Sequence, residues 1–385
     1  REEPYRFPNL NFETFKGLPG MLADVLPDKF GNTLIDQWLL RQNRSLESFG
    51  PLERLCYTGT RAMGALEFLP SETDTFNNMA TQPLEIAELV DLANQVLNTQ
   101  SYQLQSKALG SKEFEHIYQV GTSAGGARAK AIINWNENTG VIKAGHQEAE
   151  QGFESWLIKF DGIANNKDKE ILVDPQGYGR IEYAYYLLAQ YAGINMNESR
   201  LLEESGRAHF MTKRFDRVQG KKIHKTSLCG MAHMDFNDNL NNSYEQAFNT
   251  ARQLNLQESE LEQLVRLMVF NVIFRNQDDH TKNIEFLMNQ QGIWRLAPAF
   301  DLTFSYNPDG QWTSKHQMSI NGKRDNYELK DLIEAGKVSG LSATKVKKIV
   351  ESIIGIKPQW INVAVNAGVS NKTALEISSV FRMIK

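Results

Sequence analysis

The stretch SELEQLVRLMVFNVIFRNQDDHTKNIEFL, residues 259–287, decides how this chain folds. Residues 259–276 are apolar on almost every side of a helix, and a helix of that kind is buried in a domain core. Ser259, with a glutamate three positions later, predicts a capping-box start for this helix. The segment QDDHTKN then separates the helix from another apolar run. The sequence therefore places concentrated polar chemistry directly after a core element.

The elements around this stretch indicate the fold class. Residues 284–302 predict a β-hairpin with the turn NQQG, and amphipathic helices return from residue 328. Residues 114–228 are rich in strand-like segments, whereas residues 1–110 are typical of a helical region with a little sheet. This order resembles the two-lobed architecture of protein kinases. We therefore predict an α+β fold with three domains, at residues 1–110, 111–220 and 221–385.

Shorter elements are predicted from local periodicity and from glycine. Helices are expected at 34–43, 85–97 and 180–194, the last of them ending at Gly193. Residues 55–70 predict a turn followed by a short strand, and residues 118–135 predict a strand, a glycine loop and a second strand. Further strands are expected at 155–160, 208–216 and 221–228.

Composition limits the class of protein. The 385 residues are 41% hydrophobic and 23% charged, with a formal net charge of −4, so a basic nucleic-acid-binding surface is not expected. Two cysteines, Cys56 and Cys229, without a Cys/His cluster, indicate a reduced, cytoplasmic protein. No apolar run is long enough for a membrane span, and the first residues lack the core of a signal peptide. Because Arg1 is not a methionine, we expect the chain to begin inside a longer native one.

The polar segment contains several of the groups that phosphoryl transfer needs. Asp278 could accept the proton of a substrate hydroxyl, and Lys282 could neutralise charge on the transferred phosphate. Asn283 would offer Mg²⁺ a hard oxygen ligand, and Asp301, in PAFDL after the hairpin, would offer a second. Asp278 and Asn283 are five residues apart, like the catalytic Asp and the metal-binding Asn of the kinase motif HRDxxxxN.

A simpler interpretation of the same segment is a solvated turn, because Asp, Asn and His are common in loops. Asp279 is expected to be such a residue, either solvated or capping. His280 is interpreted first as a structural residue that braces the loop, and second as a proton carrier. Metal binding by His280 is not expected, since the sequence places no second soft ligand nearby.

Four upstream features favour the catalytic interpretation, and each has an alternative. The glycine-rich loop GTSAGGARAK, residues 121–130, could bring backbone N–H groups to phosphates, or it could be a plain hairpin turn. Lys159 in the apolar strand WLIKF either contacts the α- and β-phosphates or is an edge-strand lysine pointing to water. Glu182 could pair with Lys159 or could simply favour its helix N-terminus. Residues 211–217, MTKRFDR, could meet adenine through their backbone or form a solvated hinge.

The motifs TSAGGARAK, LIKF, KRFDR, NQDDHTKN and LAPAFDL occur in the order found in HipA-like serine/threonine kinases, the toxins of HipBA toxin–antitoxin modules. The sequence resembles that family over roughly residues 17–305, which implies the two-lobed HipA fold. GLPGMLADVLPD and GTRAMGALEF are similar to the N-terminal subdomain of the family. Three features depart from the pattern, and the first is a glycine loop that is richer in glycine. Arg128 stands where some relatives carry an acidic residue, and the N-terminal segment is shortened.

The resemblance implies roles for individual residues. Asp278 would be the proton acceptor with Lys282 beside it, and Asn283 and Asp301 would bind Mg²⁺. Ser123 matches the autophosphorylated serine of the family, whose modification ejects the glycine loop and inactivates the kinase. The residues expected around ATP are Ala124, Gly125, Gly126, Ala127, Arg128, Lys130, Lys159, Lys213, Arg214, Phe215, His280 and Asn283.

By the same resemblance the chain would be an ATP- and Mg²⁺-dependent kinase that phosphorylates an aminoacyl-tRNA synthetase and so halts translation. Its partners would be HipB, a helix-turn-helix antitoxin, and operator DNA reached through the complex. Two alternatives stay open: a small-molecule kinase of the same superfamily, and a catalytically silent protein that bridges an antitoxin and DNA. The joint presence of Asp278, Asn283, Asp301 and Lys159 argues against the silent protein.

Overall fold

The computed structural model describes residues 7, 9–71, 83–98, 117–118, 120–121, 128–145, 148–163 and 177–384. Contacts within the chain define two compact units. The helical unit comprises residues 1–24, 180–197 and 225–385, and the sheet unit comprises residues 25–179 and 198–224. The predicted α+β class is confirmed. The division into three domains at 1–110, 111–220 and 221–385 is not decided by these two units and stays a prediction.

Helices and strands of the described residues follow one another in a mixed order. The helices are α1 (Phe12–Phe15), α2 (Gly20–Ala23), α3 (Lys29–Arg41), α4 (Pro51–Thr58), α5 (Ile86–Asn98), α6 (Tyr178–Tyr191), α7 (Leu228–Ala232), α8 (Tyr244–Gln253), α9 (Glu258–Ile273), α10 (Leu329–Val338), α11 (Ala343–Gly355), α12 (Trp360–Asn366) and α13 (Asn371–Ser379). The strands are β1 (Lys130–Trp135), β2 (Ile142–Ala144), β3 (Glu154–Lys159), β4 (Ser199–Glu204), β5 (Arg207–Lys213), β6 (Arg217–Val218), β7 (Lys221–Lys222), β8 (His224–Ser227), β9 (Glu285–Met288) and β10 (Trp294–Leu296).

The sheet unit is organised by a five-stranded antiparallel sheet with the strand order β2-β1-β3-β5-β4. Alternation along β3 buries Trp156 and Ile158, as expected for a strand with one face in a core. These side chains share one hydrophobic cluster with Leu34 of α3 and Val90 of α5. The helices of residues 25–98 therefore form the apolar cover of this sheet.

The helical unit is organised around α9, which has an unbroken buried run from Leu267 to its end at Ile273. Aromatic side chains at the end of this helix pack edge to face with their neighbours: ring centroids lie 4.9 Å apart for Phe274 and Phe381 and 6.1 Å apart for Phe270 and Tyr185. A small sheet of order β10-β9-β8 belongs to the same unit. The chain therefore leaves a rigid core helix immediately before the polar segment.

Most predicted elements are confirmed by the structure. Helices lie at α3, α5 and α6, and Gly193 follows α6 with a left-handed φ of +67°. Strands lie at β1, β3 and β5, and the stretch 221–228 contains β7 and β8. The hairpin at 284–302 is formed by β9 and β10, in register at Trp294 and Met288. Four helices follow residue 328.

Three local predictions are wrong. Residues 55–70 continue helix α4 and a 3₁₀ turn at Gly59–Arg61 and contain no strand. The described residues among 117–121 are helical where the sequence predicts a strand. Helix α9 begins after Gln257, not Ser259, because the side chain of Glu260 accepts a hydrogen bond from the Gln257 N–H at 2.9 Å.

Within the described part of the chain, no helix combines the length and apolarity that crossing a membrane requires.

A buried ion cluster ties the segment after β5 to residues 62–64 inside the sheet unit. The fully buried Asp216 carboxylate accepts hydrogen bonds from Arg214 at 2.7 and 2.9 Å, from Arg217 at 2.7 Å and from the Gly64 N–H at 2.6 Å. Arg217 also donates to the carbonyl groups of Gly64 and Ala62, both at 3.0 Å. Burial alone would raise the pKa of Asp216, but the two guanidinium groups hold it well below its ordinary value. The three charges therefore act as one unit.

We expect Asp216→Asn to lower the free energy of unfolding by about 3–5 kcal/mol, because it leaves two buried guanidinium groups without a compensating charge. The folded-state pKa of Asp216 is below its unfolded value of about 3.9, so its contribution is complete at neutral pH and is lost only as the pH falls below about 4. Urea unfolding followed by circular dichroism at pH 7 and pH 3 measures both effects. Asp91→Asn, at an exposed position of α5, is the matched control. Equal losses in the two variants would contradict the prediction.

Candidate functional site

Backbone hydrogen bonds fix the polar segment that follows α9, independently of its side chains. The chain turns at Arg275, whose φ is +58°. The Gln277 N–H then donates to the Ser305 carbonyl at 3.1 Å, and the Ser305 N–H donates to the Arg275 carbonyl at 3.0 Å. These bonds join the segment to the chain that follows Asp301. The two stretches that carry the predicted acidic groups are thereby held side by side.

Asp278 and Asn283 close the segment into a compact loop. The Asn283 Nδ2 donates to the backbone carbonyl of Asp278 at 2.8 Å, and residues Thr281–Asn283 form a 3₁₀ turn. The Asp278 side chain stays 39% exposed. No described residue donates to the Asn283 Oδ1. The loop therefore presents a carboxylate to a substrate and an amide oxygen to a hard cation.

Asp279 holds this loop from inside the protein, so the prediction of a solvated or capping residue is wrong. Its side chain is 2% exposed and accepts three hydrogen bonds. They come from the Tyr244 hydroxyl at 2.9 Å, the His316 Nδ1 at 2.7 Å and the Gln317 N–H at 2.8 Å. Because a carboxylate only accepts, His316 donates from Nδ1. Burial and the adjacent Asp279 charge raise the pKa of Tyr244 well above its ordinary value, so Tyr244 remains a hydroxyl donor.

His280 and Lys282 both face the ring of Phe236. The His280 ring centroid lies 5.7 Å from that of Phe236, and the Lys282 Nζ lies 4.6 Å from the same centroid. The His280 Nε2 is 3.9 Å from the Asp278 Oδ1, too far for a hydrogen bond. Between them, the buried Thr281 hydroxyl donates to the Met234 carbonyl at 2.8 Å. This packing fits the bracing role expected for His280, and that role stays a prediction.

Asp301 follows the β9–β10 hairpin in a left-handed conformation, with φ of +57°. This region is costly for most residues, although Asp and Asn adopt it more readily. Its neighbours fix it, since Leu302 is buried and the Ala299 N–H donates to the Asn195 carbonyl at 2.8 Å. Asn283 and residues 298–300 line one cavity of about 110 Å³. Asn283, the predicted amide ligand of the metal, therefore lines the same cavity as the residues just before Asp301, the predicted carboxylate ligand.

Lys159 lies opposite Lys130 in the register of β3 and β1. Side chains of directly opposed residues lie on the same face of a sheet, and like charges there are destabilising. Lys130 is 4% exposed and Lys159 is half-buried. The edge-strand alternative for Lys159 is wrong, because β3 lies between β1 and β5. The register therefore brings two lysine side chains to one face of the sheet.

The remaining predicted nucleotide contacts lie at several places. Ser123, Ala124, Gly125, Gly126 and Ala127 lie outside the described residues. The Arg128 guanidinium carbon is 3.5 Å from the ring centroid of Tyr178, in the geometry of a cation–π contact.

The segment predicted to contact adenine, residues 211–217, is held within the sheet unit by hydrogen bonds and ion pairs. The Lys213 N–H donates to the Glu198 carbonyl at 2.8 Å, and the Arg214 N–H donates to the Ser155 carbonyl at 2.9 Å. The Lys213 side chain pairs with Glu154, and Arg214 belongs to the Asp216 cluster. Phe215 is half-buried between them. Those two N–H groups are therefore used by the sheet, and contacts to adenine stay a prediction.

Glu182 is buried in α6 of the helical unit, whereas Lys159 belongs to the sheet unit. Their ion pair stays a prediction.

The residues that anchor the loop were not predicted from the sequence. Tyr244, His316 and Gln317 lie 35, 37 and 38 positions from Asp279. No local spacing connects such distant residues, and the stretch around His316 has no helical or strand-like period. The available signal was limited to one polar residue, Asp279, directly beside a core helix.

Comparisons with known proteins agree with the geometry. The family model of the HipA-like C-terminal domain matches residues 122–360, and that of the HipA N-terminal domain matches residues 1–69. No curated protein matches this chain. HipA of Shewanella oneidensis MR-1, solved with HipB and its operator DNA, matches with a TM-score of 0.64 at 15% identity, over 95% of this chain and 85% of that chain. This match shows the fold.

The structure of the Helicobacter pylori proinflammatory kinase CtkA matches at 15% identity, over 58% of this chain and 92% of that chain. Its TM-score of 0.35 is too low to support an argument about fold. The resemblance predicted from the motifs is nevertheless confirmed by the two family models, one of which covers more than half of the chain. This protein belongs to the HipA-like family.

Proposed function

We propose that this protein is an ATP- and Mg²⁺-dependent protein serine/threonine kinase and acts as the toxin of a toxin–antitoxin module. The observation that carries the proposal is the loop in which the Asn283 Nδ2 closes onto the Asp278 carbonyl at 2.8 Å while the Asp278 carboxylate stays exposed. A solvated turn would not need the triply hydrogen-bonded anchor at Asp279. The loop has the order and spacing of groups that phosphoryl transfer uses.

In this proposal each group has one task. The Asp278 carboxylate orients a substrate hydroxyl and accepts its proton while the hydroxyl oxygen forms a bond to the γ-phosphorus and the bond to ADP breaks. The Asn283 Oδ1 and the Asp301 carboxylate would hold Mg²⁺, which neutralises charge on the phosphates when bound. Lys282 supplies a further positive charge beside the loop. His280 keeps the loop in shape through Phe236.

The sheet unit would bind the phosphates of ATP. Lys159 and Lys130, opposed on one face, provide two positive charges, and the glycine-rich loop that precedes Lys130 would provide N–H donors. Ser123 in that loop would be autophosphorylated. A phosphoserine there would place negative charge where ATP phosphates bind, and would therefore inhibit the kinase.

The proposed partners are a HipB-like helix-turn-helix antitoxin and, through it, operator DNA. HipA of Shewanella oneidensis MR-1 was solved with both. The net charge of −4 is consistent with DNA binding supplied mainly by the partner. The proposed protein substrate is an aminoacyl-tRNA synthetase, as the family resemblance implies.

Incubation with labelled ATP and Mg²⁺, followed by phosphosite mapping, tests the central proposal. Wild type should label Ser123, and Asp278→Asn should reduce the rate by about 10²–10⁴-fold, the usual contribution of a general base. Asp309→Asn, at an exposed aspartate of the same unit, is the matched control and should label normally. ATP binding without label in wild type would refute a self-phosphorylating kinase and favour a small-molecule substrate or a silent binding protein.

Asp279→Asn should impair the same loop indirectly. Three donors face the Asp279 carboxylate, so an amide NH₂ must oppose at least one of them and leave it unpaired. We expect a loss of about 1–3 kcal/mol in the free energy of unfolding and a lower rate of phosphate transfer with an unchanged Kd for ATP. Urea unfolding, single-turnover kinetics and nucleotide titration measure the three quantities. Wild-type stability in this variant would contradict the anchoring role.

Lys159→Met should weaken nucleotide binding through the sheet unit. Removing one charge-assisted contact to phosphate corresponds to an increase in Kd for ATP of about tenfold or more. Titration with a fluorescent ATP analogue measures this change. Lys221→Met removes an exposed lysine of the same unit and should leave the Kd unchanged. Equal Kd values for the two variants would contradict the phosphate-binding role of Lys159.

A further inference from the structure

A second, larger cavity lies within the helical unit, between α1 and the segment from α7 to α8. Its volume is about 620 Å³, and it is lined by residues 9–11 and 15, by 232–235, by 237–242 and by Gln246. The lining is dominated by carboxamide and carboxylate groups, with the exposed Leu240 beside them. No residue of the catalytic loop, residues 278–283, is among those that line this cavity.

Part of the lining is a fixed scaffold. Asp235 accepts hydrogen bonds from the side chains of Asn11 and Thr14, and from the Asn237 N–H at 2.9 Å. Asp238 accepts the Asn241 Nδ2 at 2.7 Å and two backbone N–H groups. The Asn241 hydrogen bond, with the two backbone N–H groups, lowers the pKa of Asp238. The walls are therefore held in place, and the lowered pKa of Asp238 keeps its carboxylate charged at neutral pH.

Other groups of the lining have no partner among the described residues. Asn242 is only 5% exposed, and its Nδ2 donates to the Asp235 carbonyl at 2.6 Å, but no described residue donates to its Oδ1. The side chain of Asn239 has no hydrogen bond to any described residue. These amide oxygens can accept hydrogen bonds from a ligand or from water. The cavity therefore offers hydrogen-bond acceptors to a molecule that donates hydrogen bonds.

The charges of the lining residues indicate which class of ligand the cavity can bind. Among the described residues, no lysine or arginine lines the cavity, and the one histidine there, His233, accepts the Gly20 N–H at its Nε2 at 3.0 Å. Acceptors and negative charge disfavour nucleic acid and free phosphate. They favour a polypeptide, whose N–H groups and basic side chains are donors, and carboxamides bond well to an extended backbone.

The cavity wall and the catalytic loop share one segment. The Met234 carbonyl accepts a hydrogen bond from the Thr281 hydroxyl, and the ring of Phe236 contacts the side chains of His280 and Lys282. Met234 and the neighbours of Phe236 line the cavity. We propose that this cavity binds a basic, extended segment of the protein substrate beside the serine that is phosphorylated. The inference rests on the proposed function, because it assigns the substrate class of that same site.

Two fluorescein-labelled peptides of about fifteen residues test the inference by anisotropy. Both have a central serine in a Gly/Ala background, one with four flanking lysines and the other with four flanking glutamates. Wild type should bind the lysine peptide about tenfold more tightly than the glutamate peptide. Asn239→Lys should weaken the lysine peptide about tenfold, the effect of one opposed charge near a protein surface, whereas Asn239→Asp should preserve its binding.

Asn362→Lys is the matched control, because it adds the same charge at an exposed carboxamide on α12 of the same unit. It should leave binding unchanged. Equal effects of Asn239→Lys and Asn362→Lys, no binding of the lysine peptide, or a preference for the glutamate peptide or for a single-stranded oligonucleotide would each overturn the inference.

Anisotropy needs no phosphate transfer, so the two proposals fail separately. An active kinase whose peptide binding is insensitive to Asn239 overturns only the cavity inference. A chain that binds the lysine peptide at Asn239 but transfers no phosphate overturns only the proposed kinase activity.

Discussion

The site depends above all on one buried carboxylate. Placing Asp279 inside the protein costs several kcal/mol unless donors replace its water, and Tyr244, His316 and Gln317 supply three. These donors come from two distant parts of the chain, so they bind the loop to α8 and to the segment near residue 316. The neighbouring Asp278 therefore projects from a fixed backbone. An exposed carboxylate on a rigid support is what a positioned proton acceptor requires.

The sheet unit shows a related conflict between stability and function. Lys130 and Lys159 face each other with like charges, an arrangement that folding alone disfavours. In the same unit, Asp216 joins Arg214 and Arg217 to residues 62–64, and this cluster stabilises the end of β5. Packing explains the second arrangement, whereas an anionic ligand for the first belongs to the proposed function.

The sequence predicted those features that local periodicity and spacing determine. The core helix α9, the hairpin and the five-residue separation of Asp278 and Asn283 were all visible in one stretch. The start of α9 was ambiguous because Gln257 and Ser259 are each followed by a glutamate three positions later. Tertiary contacts decide between them, since Glu262 pairs with Arg266 and Lys345 and is not available for capping. The burial of Asp279 depends on partners more than 30 positions away and has no local signature.

The position of Lys282 illustrates how packing can keep a charge available. No carboxylate among the described residues forms an ion pair with its ammonium group, which instead lies over the ring of Phe236. A cation–π contact at a partly exposed site stabilises by about 0.5–1 kcal/mol, less than a charge-assisted contact with phosphate. The lysine is therefore held near the loop without being neutralised, and a phosphate can attract it at little cost. Phe236 also neighbours residues that line the 620 Å³ cavity of the helical unit. A substrate bound in that cavity would therefore lie close to the ring that holds Lys282.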